Sequence, residues 1–164
     1  LPENHPKDPW RPGERYAAMP REGTPHPGIW KRTGWYVVDI GPGHSILGWS
    51  PSEDDAFLAG DVWIVHGGMV TAFLDTAMGQ ATWSLLNDDE VFLTSDLRTE
   101  FYRPTHPGMV LRAHGEVVHK TSRVTFAAAE VFDENGKLLA SCRGTNQTLS
   151  ARPSQNDQSS GSAG

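Results

Sequence analysis

The sequence predicts an α+β domain in which an antiparallel sheet wraps round one long buried helix. Three observations carry this. First, Met69, Val70, Phe73, Leu74, Ala77, Met78, Ala81, Leu85 and Leu86 leave the stretch after His66-Gly67-Gly68 without a wide polar face, which marks a buried helix. Second, a hairpin pattern precedes it and four strand patterns follow it. Third, no internal repeat and no alternation of strand with helix points to a parallel sheet.

Residues 1–33 carry seven of the twelve prolines, with Trp10, Tyr16 and Trp30 between them. Such a stretch excludes a regular helix or central strand. It reads as an extended arm on the domain or on a neighbouring subunit, or as disordered chain, with room for a short helix near Glu14–Met19. The domain spans 34–149. Gly34–Ile40 and Ser45–Ser50 are rich in aromatic and β-branched residues and predict two strands joined by Gly41-Pro42-Gly43. Pro51–Gly60 is polar and acidic and predicts a surface loop; Asp61–Val65 leads into the glycines. The helix is expected from about Gly67 to Leu86, ending at Asn87-Asp88-Asp89. Strands are expected over 91–102, 109–120, 122–132 and 137–149. In the first, Val91, Leu93, Leu97 and Phe101 share one face by simple alternation, and Thr94, Asp96, Arg98, Glu100 and Tyr102 the other. The third is small-residue-rich and expected to be covered on both faces. Asn135-Gly136 predicts a hairpin turn with positive φ at both residues. Residues 150–164 are rich in Ser, Gly and Gln and read as a disordered tail.

The 164 residues suffice for one domain with a core, and the net charge of −6 argues against a nucleic-acid or membrane-surface role. The charge is uneven. Residues 98–143 hold seven Lys/Arg against five acids, so this segment is +2 and the remainder −8. A local basic patch on an acidic protein suits a small polyanion. Cys142 is the only cysteine, which forbids an intrachain disulfide, and its apolar strand setting makes it a core residue. No signal-peptide pattern opens the chain and no apolar run spans a bilayer, so a cytoplasmic location is expected.

Asp75 stands out chemically. It is one carboxylate in an apolar helix, where desolvation raises its pKa unless a donor offsets it, and a buried aspartate is costly unless paired or used. It can activate a water or attack a carbonyl itself. Its bland alternative is local hydrogen bonding to Thr71 or Thr76. Gly67 and Gly68 occupy the helix start, where free N–H groups and the dipole favour a developing negative charge; Gly67 is the candidate oxyanion donor. One short stretch thus offers both halves of a hydrolytic site.

His66-Gly67-Gly68 followed by Asp75 resembles the hotdog-fold acyl-CoA thioesterases, in particular the PaaI-like branch of phenylacetate pathways. The likeness covers residues 34–149 and includes Thr94-Ser95-Asp96-Leu97-Arg98-Thr99-Glu100-Phe101-Tyr102-Arg103-Pro104, Gly115–Lys120 and Asp133–Ala140. It implies a hotdog fold, acyl-CoA hydrolysis without a cofactor, and a homodimer or homotetramer with a continuous sheet and sites at the subunit boundary. By the same resemblance His66 orients the substrate carbonyl or the loop, and Thr94 holds the attacking water or the carboxylate. For each, an ordinary structural role stands beside the functional one. Gly68 joins the substrate side or merely permits the turn. Arg103 and Arg123 are candidate contacts for CoA phosphates. Gly60 is a departure, since the branch often carries asparagine six residues before the histidine. The bulky Trp63 can shape an acyl pocket, but for Trp63, Phe73, Trp83 and Tyr102 core is the plainer expectation.

No Cys/His grouping has zinc spacing, no phosphate-binding glycine loop appears, and no serine elbow, so neither a metal nor a nucleotide cofactor is expected. The alternatives to a thioesterase are a hotdog dehydratase or hydratase on acyl thioesters, and a non-catalytic acyl-thioester-binding protein, which Gly60 favours.

Overall fold

In a computed structural model the described residues are Glu22, 28–87 and 89–150. Expectations for the arm before residue 28, including a helix near Glu14–Met19, and for the tail after 150 lie outside them. A short helix α1 (Ile29–Thr33) leads to β1 (Tyr36–Gly41) and β2 (His44–Trp49). A 3₁₀ turn at Glu53–Asp55 follows, then β3 (Ala56–Ala59), β4 (Val62–Val65), the long helix α2 (Gly67–Trp83) and four strands: β5 (Glu90–Phe101), β6 (Leu111–Lys120), β7 (Val124–Phe132) and β8 (Leu138–Ser150). The main sheet is antiparallel, in the order β1-β2-β6-β7-β8-β5, and α2 packs on one face of it. This is the hotdog fold expected from the sequence.

The core is the interface between α2 and the inner face of the sheet. Phe73 and Trp49, both fully buried, meet Trp35 in an aromatic cluster. Beyond it the sheet turns to small residues: Ala113, Gly115, Ala127, Ala129 and Gly144. They let the helix lie close. A Cβ at Gly115 would collide with the Ala77 carbonyl, which also accepts a 2.8 Å bond from Ser45 Oγ. No residue of α2 after Gly68 is exposed.

The structure corrects several expectations. Pro51–Gly60 is not a loop throughout: β3 pairs with β4 in a separate two-stranded ribbon. Its two-residue turn places Gly60 at φ 65° and Asp61 at negative φ, which is the type II′ pattern with glycine first. Five residues of the Pro-rich segment, Ile29–Thr33, are helical, because no proline falls between 28 and 33. The helix α2 stops at Trp83 rather than Leu86. Its carbonyls at Thr82 and Trp83 accept from Leu85 and Leu86 three residues on, so the last turn tightens out of α geometry. In the 133–136 turn only Gly136 has positive φ. Asp133 Oδ1 accepts from the N–H groups of Asn135 and Lys137 and holds Asn135 in an ordinary conformation. β7 alternates between buried and exposed, so in a single chain only its helix-facing side is covered. Of the four large aromatics, Phe73 is core, whereas Trp63 and Tyr102 are exposed.

The most consequential correction is in β5. Its register with β8 shifts between Thr94 and Asp96, leaving Ser95 as a bulge. Beyond the bulge the alternation changes phase. Phe92 and Thr94 face α2 before it; Leu97, Thr99 and Phe101 face α2 after it. Val91 and Leu93 therefore lie on the outer face, opposite Leu97 and Phe101, not with them.

Candidate active site

One stripe of α2 meets one stripe of β5. Gly67, Thr71, Asp75 and Gly79 recur every fourth residue and so share a helix face. Each meets one residue of the antiparallel strand. A Cβ at Gly67 would lie 3.2 Å from Phe101 Cζ, and one at Gly79 2.9 Å from Phe92 Cζ. Thr71 Oγ1 donates to Thr99 Oγ1 at 3.1 Å, and Thr94 Oγ1 donates to Asp75 Oδ1 at 2.9 Å. The seam runs beside the edge strand of the sheet, and on it Thr94 and Phe101 are exposed.

Asp75 is half-buried. Burial pushes its carboxyl above the ordinary aspartate value of 3.8, and the bond from Thr94 partly offsets this. Its expected bland partners are engaged elsewhere: Thr71 with Thr99, and Thr76 with the Ala72 carbonyl at 2.7 Å. The bulge at Ser95 is what turns Thr94 towards the carboxylate. Thr99 passes the chain of bonds on to Cys142 Sγ at 3.3 Å. Burial raises the Cys142 thiol pKa, so this buried residue stays protonated and packs as core.

At the helix start, His66 is the N-cap. Its Nδ1 accepts from the Gly68 N–H at 3.0 Å, and its carbonyl accepts from Met69 at 2.8 Å. With Nδ1 accepting, the neutral ring carries its proton on Nε2. A Cβ at Gly68 would approach Nδ1 to 2.9 Å, so glycine is needed for the cap and the Gly68 N–H is consumed by it. Among the described residues the Gly67 N–H has no such partner.

Gly67 and Asp75 do not form one site within one chain. Eight residues of helix separate them, about 12 Å of rise, too far to act on one carbonyl. Arg103 and Arg123 are also far apart. Arg103 Nη1 donates to the Leu138 carbonyl at 2.6 Å at the start of β8, whereas the Arg123 carbonyl accepts from Thr148 near its end, about 33 Å of strand away. Gly60 sits at the exposed tip of the β3–β4 ribbon, with β4 between it and His66, and offers no side chain. Thr99, Phe101 and the bulge escape a sequence reading based on plain alternation. The four-residue spacing of Gly67, Thr71, Asp75 and Gly79 is the signal that reveals the seam. Among the described residues no group of His, Cys, Asp and Glu is arranged to hold a metal, and no helix is long and apolar enough to cross a membrane.

The sequence model of the thioesterase superfamily matches residues 64–140. Within that class the likeness is to PaaI-like proteins. PaaI of E. coli, from the phenylacetic acid degradation operon, superposes with a TM-score of 0.66 at 22% identity, over 73% of this chain and 83% of that one. A point mutant of the phenylacetic acid degradation protein PaaI from Thermus thermophilus gives 0.66 at 26% identity, over 74% and 98%. A Streptococcus mutans protein solved with acetyl CoA bound gives 0.65 at 18%, over 73% and 91%. Among curated proteins no sequence matches the chain.

Proposed function

We propose that the protein hydrolyses an acyl-CoA thioester to the free acid and CoA, with Asp75 as its reactive carboxylate. The observation that carries this is the Asp75 carboxyl itself. It is half-buried, raised by burial and held by Thr94 through Oδ1, while Oδ2 has no hydrogen-bond partner among the described residues. Oδ2 either takes the proton of a water whose oxygen attacks the thioester carbon, or attacks that carbon directly. In both routes the oxyanion then expels CoA thiolate, and in the second water cleaves the resulting anhydride. The Gly67 N–H is the donor for the oxyanion. The acetyl CoA seated in the S. mutans protein supports CoA as the carrier.

The 12 Å separation requires the two halves to come from different chains, and β5 supplies the means. It is the last strand of the sheet, twelve residues long, with one edge unpaired and Leu97 and Phe101 exposed. Thr94 marks the position of Asp75 along β5 and Phe101 that of Gly67. Antiparallel pairing of β5 with its own copy, centred on Arg98 and with Ser95 bulged out, lays Thr94 opposite Phe101 of the partner subunit. Asp75 then faces Gly67 of the partner subunit, and a dimer holds two equivalent sites.

The test is free-thiol release from a panel of acyl-CoAs by the wild type and by Asp75→Asn. Release that is lost in the mutant, with its association state unchanged, supports the hydrolase. Binding of acyl-CoA without release by the wild type would instead identify a non-catalytic binding protein.

A further inference from the structure

Two threonines of α2 dispose of their hydroxyl protons differently. A threonine inside a helix can return its proton to the carbonyl one turn back. Thr76 does so, on Ala72. Thr71 instead reaches across to β5 and donates to Thr99 Oγ1 at 3.1 Å. Thr99 Oγ1 donates in turn to Cys142 Sγ at 3.3 Å, and the Cys142 thiol points at the Arg143 carbonyl, 3.8 Å away. The chain runs one way because it ends on a carbonyl oxygen, which only accepts. Every proton in it points away from α2. Thr71 Oγ1 has therefore committed its one proton and keeps only lone pairs for the seam.

One turn along the same helix face stands Asp75. Its Oδ1 is taken by Thr94, and its Oδ2 has no hydrogen-bond partner among the described residues. When ionised it too can only accept, so Thr71 and Asp75 cannot bond each other. Side chains four apart on a helix have their Cβ atoms about 5–6 Å apart. An oxygen carrying two protons, each bonded over about 2.8 Å, spans such a gap. Both residues keep part of their surface exposed. Two acceptors at this spacing, with no donor between them, match a water.

We propose, on the reading of Asp75 as the reactive carboxylate of an acyl-CoA hydrolase, that Thr71 and Asp75 together hold the attacking water, so that Asp75 is a general base and not a nucleophile. The water donates one proton to Asp75 Oδ2 and the other to Thr71 Oγ1. With both protons held, a lone pair faces the thioester carbon. As the new O–C bond forms, the first proton passes to Oδ2; the second stays on the oxygen, against Thr71. The oxyanion collapses, the C–S bond breaks with its electron pair on sulfur, and the proton on Oδ2 passes to the thiolate. The products are the free acid and CoA thiol, with Asp75 ionised again. Thr71 neither gives nor takes a proton; it orients the water.

The test compares thiol release by the wild type, Thr71→Val, Thr71→Ser and Asp75→Asn. Valine keeps the shape of threonine and loses the acceptor. It is expected to lower kcat about tenfold, the worth of one hydrogen bond, with KM unchanged and the acid limb of the pH profile in place. Serine restores the hydroxyl and is expected to recover most of the loss. Unchanged kcat in Thr71→Val, with release abolished in Asp75→Asn, would overturn the water site and leave the hydrolase standing. No release by the wild type, or release that survives in Asp75→Asn, would overturn both. A second measurement depends on no variant: one turnover in heavy-oxygen water, with enzyme in excess, followed by mass spectrometry of the acid and of the peptide bearing Asp75. The label is expected in the free acid and not in Asp75. Label in Asp75 would mean that the carboxylate itself attacks the thioester, and would overturn the proposal.

Discussion

At the scale of the residue, Asp75 is held between burial, which raises its carboxyl pKa, and Thr94, which favours its ionised form. The sign of each effect fixes an expected outcome. Replacing Thr94 by Val removes the donor and moves the acid limb of kcat/KM to higher pH, whereas Thr94→Ser leaves it in place; a pH–rate profile of the three proteins reads this directly. For stability, a carboxyl raised in the folded state binds its proton more tightly there than in the unfolded chain. Its favourable contribution is complete below the unfolded value, and is lost as pH rises through the raised folded value. Above that raised value the ionised Asp75 is therefore a burden on the fold. Asp75→Asn should raise Tm while lowering thiol release by roughly 10²–10⁴-fold. A fall in Tm would mean that the carboxylate serves the fold instead. Asp75 was legible from sequence because a lone acid in an apolar helix is conspicuous. Thr94 was legible only through the family resemblance, because its contact depends on the bulge next to it.

The elements α2 and β5 meet as a seam whose register is set by Ser95. Deleting Ser95 should close the bulge and leave every other residue of β5 on its present face, since Thr94 and Asp96 already pair with the adjacent residues Asn146 and Thr145 of β8. The expected result is a folded domain that keeps thiol release; release lost in a folded variant would show that the bulge serves the site in some way other than by aiming Thr94 at Asp75. At the other end of the seam, Gly68→Ala drives a methyl group into His66 Nδ1 and breaks the N-cap. About 0.5–2 kcal/mol of stability should be lost in denaturant titrations. The helix, the first hairpin and the four later strands were readable from periodicity and turn residues. The β3–β4 ribbon was not, because Ser52-Glu53-Asp54-Asp55 reads as loop and the strand behind it is only four residues long. Phe57 and Leu58 gave the pattern too little length to register.

For the whole molecule, the long edge of β5, unpaired among the described residues, and the roughly 12 Å between Asp75 and Gly67 along the helix axis both support the proposed dimer, in which two chains complete one site. These residues look like a single site in the sequence because they lie close in the chain, and only helix rise separates them. Arg103 and Arg123 lie by opposite ends of β8, remote from each other for the related reason that a long strand separates its ends. The measurement that tests the account most directly is complementation between two inactive variants. Gly67→Pro removes the candidate oxyanion donor at a position where proline suits a helix start, and His66, at φ −60° and ψ 129°, already has the backbone that a following proline requires. Mixed with Asp75→Asn under conditions that exchange subunits, it forms hybrid dimers. Half their sites then pair an intact Asp75 with an intact Gly67. The account predicts that thiol release recovers to about a quarter of the wild-type rate. No recovery, with hybrid dimers shown to form, would contradict a site shared between chains.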